Sequence, residues 1–375
     1  MCSSLITKKF KKYVYLIYVV EKLKKWGIIM HEKKKVKCVV WDLDETIWSG
    51  VLLEDEKVKL CRSVVKIILE LDKRGILHSI ASKNNYDMTI NKLKELGIYE
   101  YFLYPQINWN SKSESLKMIS EKLNLSLDSF AFVDDQEYEL AEVKHSYPEV
   151  LCMLTKDIDS MLMMPEMTPN FITEDSANRR RLYQQDIERK TCEESFNGPQ
   201  VDFLSSLDMF FSIGLASESD LERAEELTVR THQLNTTSQT FSYNELKEFM
   251  TDPQYRLYIT SLEDKFGDYG KIGLSLVKCT KDTWTIKLFL MSCRVMSRGV
   301  GTVFLNFIID EAKKAGVSLF AEFIHNDRNR IMYVTYKFNG FREREINNDK
   351  NIVLLEYDML RETTYPPYVK VEILQ

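Results

Sequence analysis

Between residues 36 and 154 the chain repeats one pattern: a short, almost continuous apolar run, then an amphipathic stretch closed by glycine, asparagine or proline. VKCVVWD (36–42), ILHSIAS (76–82), SFAFVDD (129–135) and VLCML (150–154) are such runs, and YFLYPQI (101–107) is strand-like as well. SVVKIILELDKRG (63–75), NYDMTINKLKELG (85–97), KSESLKMISEKLN (112–124) and EYELAEVKHSYP (137–148) are the amphipathic partners. A strand that is apolar on both faces must be covered on both faces. Repeated strand–helix units therefore predict an α/β domain with a parallel sheet. In such sheets reactive groups collect at the carboxyl ends of the strands. Asp42, Ser82 and Asp134 each end an apolar run.

Asp42 and Asp44 stand one residue apart. Like charges this close repel unless a cation or a shared proton lies between them. Magnesium takes hard oxygen ligands, so Asp42, Asp44 and Asp134 are its candidate ligands, and Asp135 beside Asp134 can complete the coordination. Asp42 is the candidate nucleophile, forming an aspartyl-phosphate, and Asp44 the proton donor that later activates water. On its own, a DxDxT spacing also describes a solvated turn. Later strand ends add to it. Ser82 can hydrogen-bond a phosphoryl oxygen, and Lys112 can neutralise charge that builds during transfer. Thr46, Asn84 and Asp135 are candidates for the substrate phosphate. This ordered set over about 36–155 resembles the haloacid dehalogenase-like phosphotransferase superfamily. The resemblance implies an aspartate nucleophile, an aspartate acid/base, phosphate-holding serine and lysine, and a later acid on magnesium. Only 37 residues separate Asp44 from Ser82 and 29 separate Ser82 from Lys112, so no large cap fits. An open site favours a bulky or carrier-tethered substrate.

The pattern then changes. Residues 164–210 carry prolines and a long charged stretch, expected to be a linking helix. From Phe211 a strand and helix precede three runs, RLYITSLED, KIGLSLVKC and WTIKLFLMSCRV, expected to be antiparallel strands. MSCRVMSRGVGTVFL (291–305) joins the last of these to a helix, and its glycines let backbone N–H groups approach a ligand. That stretch resembles the acyl-CoA loop of acetyltransferase-like folds, as YKFNGF (336–341) resembles their closing element. Arg298 and Gly301 fit the loop pattern, and Val303 departs from it; Arg294, Gly299, Gln233 and Asn235 complete the candidate acyl- or pantetheine-binding set. Cys293 is either a buried strand cysteine or a thiol activated by Arg294, Arg298 and a helix amino terminus. Asp268 is a catalytic candidate or a hairpin turn residue, and His232 a base or a structural histidine. HNDRNR (325–330) would bring Asn326, Arg328 and Arg330 to the same cleft, or form a solvated turn.

Composition narrows the class. Apolar residues at 44% and charged residues at 29% are those of a soluble globular chain. A net charge of −5 argues against a nucleic-acid partner. The seven cysteines are scattered without a CxxC pair, which suits a reducing, cytoplasmic setting. YVYLIYVV (13–20) is too short to span a bilayer; a short amphipathic helix is expected there, and Met30 marks residues 1–29 as an upstream extension.

VRTHQLN, FGDYG and MSCRVMSRG following the first constellation resemble the FkbH-like family of polyketide and hybrid peptide pathways, from 36 to about 362. His232 stands where that family is expected to carry asparagine. The resemblance implies loading of a glyceryl unit from 1,3-bisphosphoglycerate onto the phosphopantetheine of an acyl carrier protein. Two other classes stay open: a phosphatase whose second domain binds a partner, and an acetyltransferase with a regulatory phosphatase-like half. The expected organisation is an extension (1–35), a haloacid dehalogenase-like domain with minimal cap (36–163), a helical linker (164–210), an acetyltransferase-like α+β domain (211–362) and a tail (363–375). Arg179, Arg180 and Arg181 form either a docking face for an acidic carrier or an exposed helix face.

Overall fold

The computed structural model describes residues 35–55, 57–231, 233–347 and 351–374. The expectations for residues 1–34, including the short apolar helix, and for His232 lie outside the described residues. The described chain forms two compact units, with the division between Asn170 and Phe171.

In the first unit, strands run as β1 (Cys38–Trp41), β2 (Trp48–Ser49), β3 (Lys59–Leu60), β4 (Leu77–Ser82), β5 (Gln106–Ile107), β6 (Phe130–Asp134) and β7 (Leu151–Leu154). Five of them form a parallel sheet in the order β5-β4-β1-β6-β7. The order reverses at β1, and clefts at such reversals are where α/β sheets bind ligands. β1, β4 and β6 are buried on both faces, as their unbroken apolar runs require. Trp41 Nε1 donates to His78 Nδ1 at 3.0 Å, and His78 Nε2 lies 3.1 Å from the Ile68 carbonyl. The indole is only a donor and the carbonyl only an acceptor, so His78 is held in its neutral Nε2-protonated form. YFLYPQI gives just the two residues of β5, because Pro105 offers no N–H to a ladder. Among the described residues, the strands inserted between β1 and β4 are the pair β2–β3, a minimal cap as expected.

The second unit holds β8 (Met209–Leu215), β9 (Tyr255–Asp264), β10 (Gly267–Cys279), β11 (Thr283–Met291), β12 (Ser318–Phe323), β13 (Phe341–Asn347), β14 (Ile352–Tyr357) and β15 (Val369–Ile373) in one mixed sheet. Its order is β13-β14-β12-β11-β10-β9-β8-β15. β8 to β11 are antiparallel neighbours, as expected for the last three, whereas β11 and β12 are parallel. The core carries Phe211, Phe289, Phe304 and Phe323. Two boundaries differ from expectation. Residues 363–375 are not a free tail: β15 adds a parallel edge strand beside β8, its Val369 buried. The helix Arg179–Ser195 belongs to the second unit rather than standing as a linker. Its fully buried Arg189 makes a two-pronged ion pair with Asp264, Nε–Oδ2 2.8 Å and Nη2–Oδ1 2.9 Å, and lies over the ring of Tyr269.

Candidate functional site

Register builds the first site. Trp41 pairs with Val133 on adjacent parallel strands, so the next residues, Asp42 and Asp134, emerge side by side. Asp42 N donates to the Val133 carbonyl at 2.9 Å, which fixes that offset. Lys112 opens the helix Lys112–Leu123, whose start is set by Ser111, a side-chain cap accepting from Glu114 N at 3.2 Å. From there the buried Lys112 reaches inward: its Nζ lies 2.5 Å from Asp42 Oδ1, 2.7 Å from the Ala81 carbonyl and 3.1 Å from Asp134 Oδ2. Oxygens of Asp42, Asp134 and Asp135 all lie within 4.8 Å of one another.

Electrostatics follow from burial. Burial pushes Asp42 up to about 7; Lys112 opposes that and the Asp134 charge adds to it. Burial alone would lower Lys112, but the charges of Asp42 and Asp134 outweigh it and hold the ammonium above its usual range. Asp135 is raised too, by burial and then by Asp134. Despite its contact with Lys112, the buried Oδ2 of Asp134 receives no well-aligned hydrogen bond among the described residues. A crowded set of hard oxygens with one orphaned lone pair fits an oxygen-seeking divalent cation.

Other expected residues fall differently. Asp44 is outside the three-carboxylate group. Its Oδ1 accepts from Trp48 Nε1 (2.7 Å) and Leu52 N (3.0 Å), and its Oδ2 from Asn84 Nδ2 (3.0 Å). Both oxygens are thus held by the chain, which suits acid/base positioning rather than metal ligation. Asn84, expected to hold phosphate, spends its amide on Asp44 and its carbonyl on Asn85 N. Thr46 is fully buried, its hydroxyl 3.0 Å from that of Thr155. Asp135, expected both to complete the metal's coordination and to stand on the phosphate side, lies in the three-carboxylate group. Ser82 ends β4 buried beside Ala81, and its hydroxyl has no hydrogen bond among the described residues. Trp48 was not anticipated; the i,i+4 spacing from Asp44 was the available signal.

In the second unit Cys293 is half-buried and begins the single turn Cys293–Val295. It lies within electrostatic reach of the buried Tyr183, as do Arg294 and Arg179. Arg298 does not serve the loop: buried, it bonds Glu193 at 2.9 Å and lies over Phe203. Gly299 has φ +76°, but a Cβ there would meet the Tyr368 hydroxyl at 2.7 Å, so this chain's own carboxyl-terminal segment fills the close approach expected for a ligand. A Cβ at Gly301 would meet only Met291, at ordinary contact distance.

The string VRTHQLNTT is likewise used internally. β11 and β12 pair only from Thr283 to Ile286 and Ser318 to Ala321, and beyond that Leu234–Thr236 bonds to β11 and to Ile324, the residue after β12. Thr236 N donates to Phe289 O (3.1 Å), Met291 N to Leu234 O (3.0 Å) and Ile324 N to Thr236 O (3.0 Å). Asn235 is fully buried, its Oδ1 capping Thr237 N and Ser238 N; it supports the fold rather than a pantetheine arm. Gln233 is exposed. Asp268 is the turn residue, accepting from Gly270 N at 2.7 Å. In HNDRNR, Asn326 caps its own turn and bonds Ser238, so this is a structured loop. Arg179 is committed to Glu226 and is not a free docking residue.

No protein-family model matches the chain, and neither does a curated protein. Among solved structures, it is similar to the amino-terminal part of protein BF1531 of Bacteroides fragilis, containing a phosphatase domain complexed with Mg: 25% identity, TM-score 0.29, 40% of this chain and 39% of that one. It is also similar to the ribosomal-protein-S18-alanine N-acetyltransferase of Escherichia coli, at 20% identity and TM-score 0.31 over 41% of this chain and 99% of that one. The PaiA N-acetyltransferase of Thermoplasma acidophilum in complex with coenzyme A follows at 15% identity and TM-score 0.32, over 39% and 98%. The class is an α/β chain: a Rossmann-like parallel sheet with minimal cap, then an α+β unit on a mixed sheet.

Proposed function

We propose that the first unit transfers phosphoryl groups through Asp42 and that the second forms an acyl thioester on Cys293. Together they would load a glyceryl unit from 1,3-bisphosphoglycerate onto the phosphopantetheine thiol of an acyl carrier protein. One observation carries the phosphoryl half: Asp42, Asp134, Asp135 and Lys112 converge at the switch point of a parallel sheet. A divalent cation, magnesium in this reading, would be held by Asp42, Asp134 and Asp135 and would supply positive charge to the phosphoryl oxygens. Lys112 holds Asp42 in place for in-line attack and offsets charge on the transferring group. Asp44, oriented by Trp48, Leu52 N and Asn84, protonates the leaving oxygen and then takes a proton from the water that hydrolyses the aspartyl-phosphate.

For the acyl half, Cys293 Sγ attacks the acyl carbon of the acyl phosphate and phosphate departs with the C–O bonding pair. The carrier thiol then takes the acyl group by thioester exchange, which needs no further energy source. The acetyltransferase alternative is weakened by Tyr368 against Gly299 and by Leu234–Thr236 between β11 and β12. The purified chain, incubated with 1,3-bisphosphoglycerate, magnesium and an acyl carrier protein, should give a glyceryl adduct by intact mass, absent in Cys293→Ala. Phosphate release with no adduct on either protein would leave a phosphatase with a partner-binding second unit.

A further inference from the structure

The mixed sheet of the second unit ends at β15, and among the described residues no strand lies beyond it. An edge strand presents a row of N–H and C=O groups to any extended chain. Leu374 N donates to the Ile213 carbonyl at 2.8 Å. Backbone groups alternate in direction along a strand, so Lys370 and Glu372 also turn theirs toward β8, while Val371 and Ile373 turn theirs outward. Side chains alternate as well. Val369, Val371 and Ile373 continue the face on which Met209, Phe211 and Ile213 of β8 are fully buried, yet Val371 is 37% and Ile373 51% exposed. The rim of the core stands open there. On the other face Lys370 and Glu372 are loosely held: Lys370 Nζ lies 3.6 Å from exposed Asp208, and Ser212 Oγ reaches Glu372 Oε2 at 3.5 Å.

The opposite edge, β13, is built differently. Its pairing with β14 shifts between Glu343 and Glu345, and Arg342 and Arg344 pair back onto Asp358 and Glu356 at 3.6 and 3.5 Å. A bulge, and charges committed to the neighbouring strand, blunt an edge. β15 lacks the bulge, its register with β8 running unbroken from Val369 to Ile373. A strand guarded by charge would repeat one sign, whereas Lys370 and Glu372 carry opposite signs two residues apart.

Those groups match an antiparallel copy of β15 centred on Val371. Val371 then faces Val371 of the second copy, Val369 faces Ile373, and Lys370 meets Glu372 twice by symmetry. Val371 exchanges both backbone bonds with its copy, and Ile373 N–H donates to the Val369 carbonyl. The Lys–Glu pairs fall at the non-bonded positions, where side chains approach closest. Centring on Lys370 or Glu372 instead would oppose like charges and present backbone groups already turned to β8. We propose that β15 is a two-fold interface between copies of this chain, joining two eight-stranded sheets edge to edge. The occupant is a second copy rather than an unrelated extended peptide, because apolar, charged and hydrogen-bonding groups all self-match in one register.

Five residues a side make a small interface, so light scattering on the full chain should give twice the chain mass at about 100 µM and fall toward one chain at about 1 µM. Lys370→Glu or Glu372→Lys, each opposing like charges twice, should weaken association at least about tenfold. Combining the two substitutions should restore it. Val371→Pro removes an outward N–H, leaves the ladder to β8 intact, and should abolish the dimer. Under mild oxidation Val371→Cys should cross-link chain to chain beyond the unmodified protein, whose Cys192 is exposed. Bonded antiparallel residues stand about 5.5 Å apart, within disulfide reach. Ile373→Cys, displaced by four residues from its own copy, should not cross-link. A monomer at about 100 µM overturns the proposal. So does a dimer unmoved by Val371→Pro and by the single charge reversals, or one that cross-links through Ile373→Cys and not Val371→Cys.

Discussion

Replacing Lys112 by methionine removes a charge and keeps the stem. In the metal-free protein this leaves Asp42 and Asp134 facing each other across no more than 4.8 Å with no cation between them. At an effective dielectric of about 20, two unit charges at that distance repel by roughly 3.5 kcal/mol. Breaking a buried pair by removing one partner costs about 3–5 kcal/mol in general, in agreement. At about 2–4 °C per kcal/mol, the first unit should melt roughly 7–14 °C lower at pH 8. Lowering the pH should recover part of this, because Asp42 then takes up a proton. Magnesium should also recover it, stabilising Lys112→Met more than the unmodified chain, since the cation no longer competes with an ammonium. The assay is thermal unfolding followed by circular dichroism at pH 6 and pH 8, with and without magnesium. Unchanged melting of metal-free Lys112→Met at pH 8 would refute the placement of that charge.

Further outcomes follow from the same contacts. Asp42 is raised to about 7, mainly by burial, so a proton competes with the cation below that pH. Apparent magnesium affinity should rise about tenfold per pH unit up to about 7 and level off above it, measurable by calorimetric titration; a flat profile from pH 5.5 to 8.5 would contradict it. By linkage, a raised carboxyl stabilises the metal-free fold below its unfolded value near ~3.9, and that contribution is lost as pH climbs through about 7. Trp48→Phe removes one of three donors to Asp44 and should lower kcat about tenfold with little change in KM or melting. Arg189→Met strips the partner from buried Asp264 and should cost the second unit about 3–5 kcal/mol in urea unfolding. Gly270→Ala would set a Cβ 2.4 Å from Asp175 Oδ2 at φ +71°, straining the backbone and displacing a partner of Arg223, and should cost the second unit about 1–3 kcal/mol in urea unfolding.

Legibility in the sequence tracked how local each cause is. The apolar runs announced β1, β4, β6 and β7 because strands covered on both faces have no polar side. Asp42, Asp134 and Lys112 were found because strand and helix ends are marked by where apolar runs stop. What Asp44 does was hidden: its partners Trp48 and Asn84 come from a cap hairpin and a loop after β4, and only folding sets their distances. The second unit misled more often. Glycine and asparagine look alike whether they cradle a ligand or their own chain, and Gly299 and Asn235 cradle their own chain. The arginine cluster around Glu226 had one readable trace: Arg223, Glu226 and Arg230 sit at i, i+3 and i+7 of the helix Leu221–Arg230, sharing a face. Its other members, Arg179 and Arg294, arrive from distant segments, and no periodicity connects them.

The central claim is that Asp42 carries the phosphoryl group. Trapping it directly requires a chain that can accept phosphate and cannot shed it. Asp44→Asn, incubated with magnesium and labelled acetyl phosphate, whose leaving carboxylate needs no proton from Asp44, then quenched in acid, should retain one labelled phosphoryl per chain, mapped by peptide mass to Asp42. Label on another residue, or phosphate release by Asp42→Asn at the rate of the unmodified chain, would contradict it.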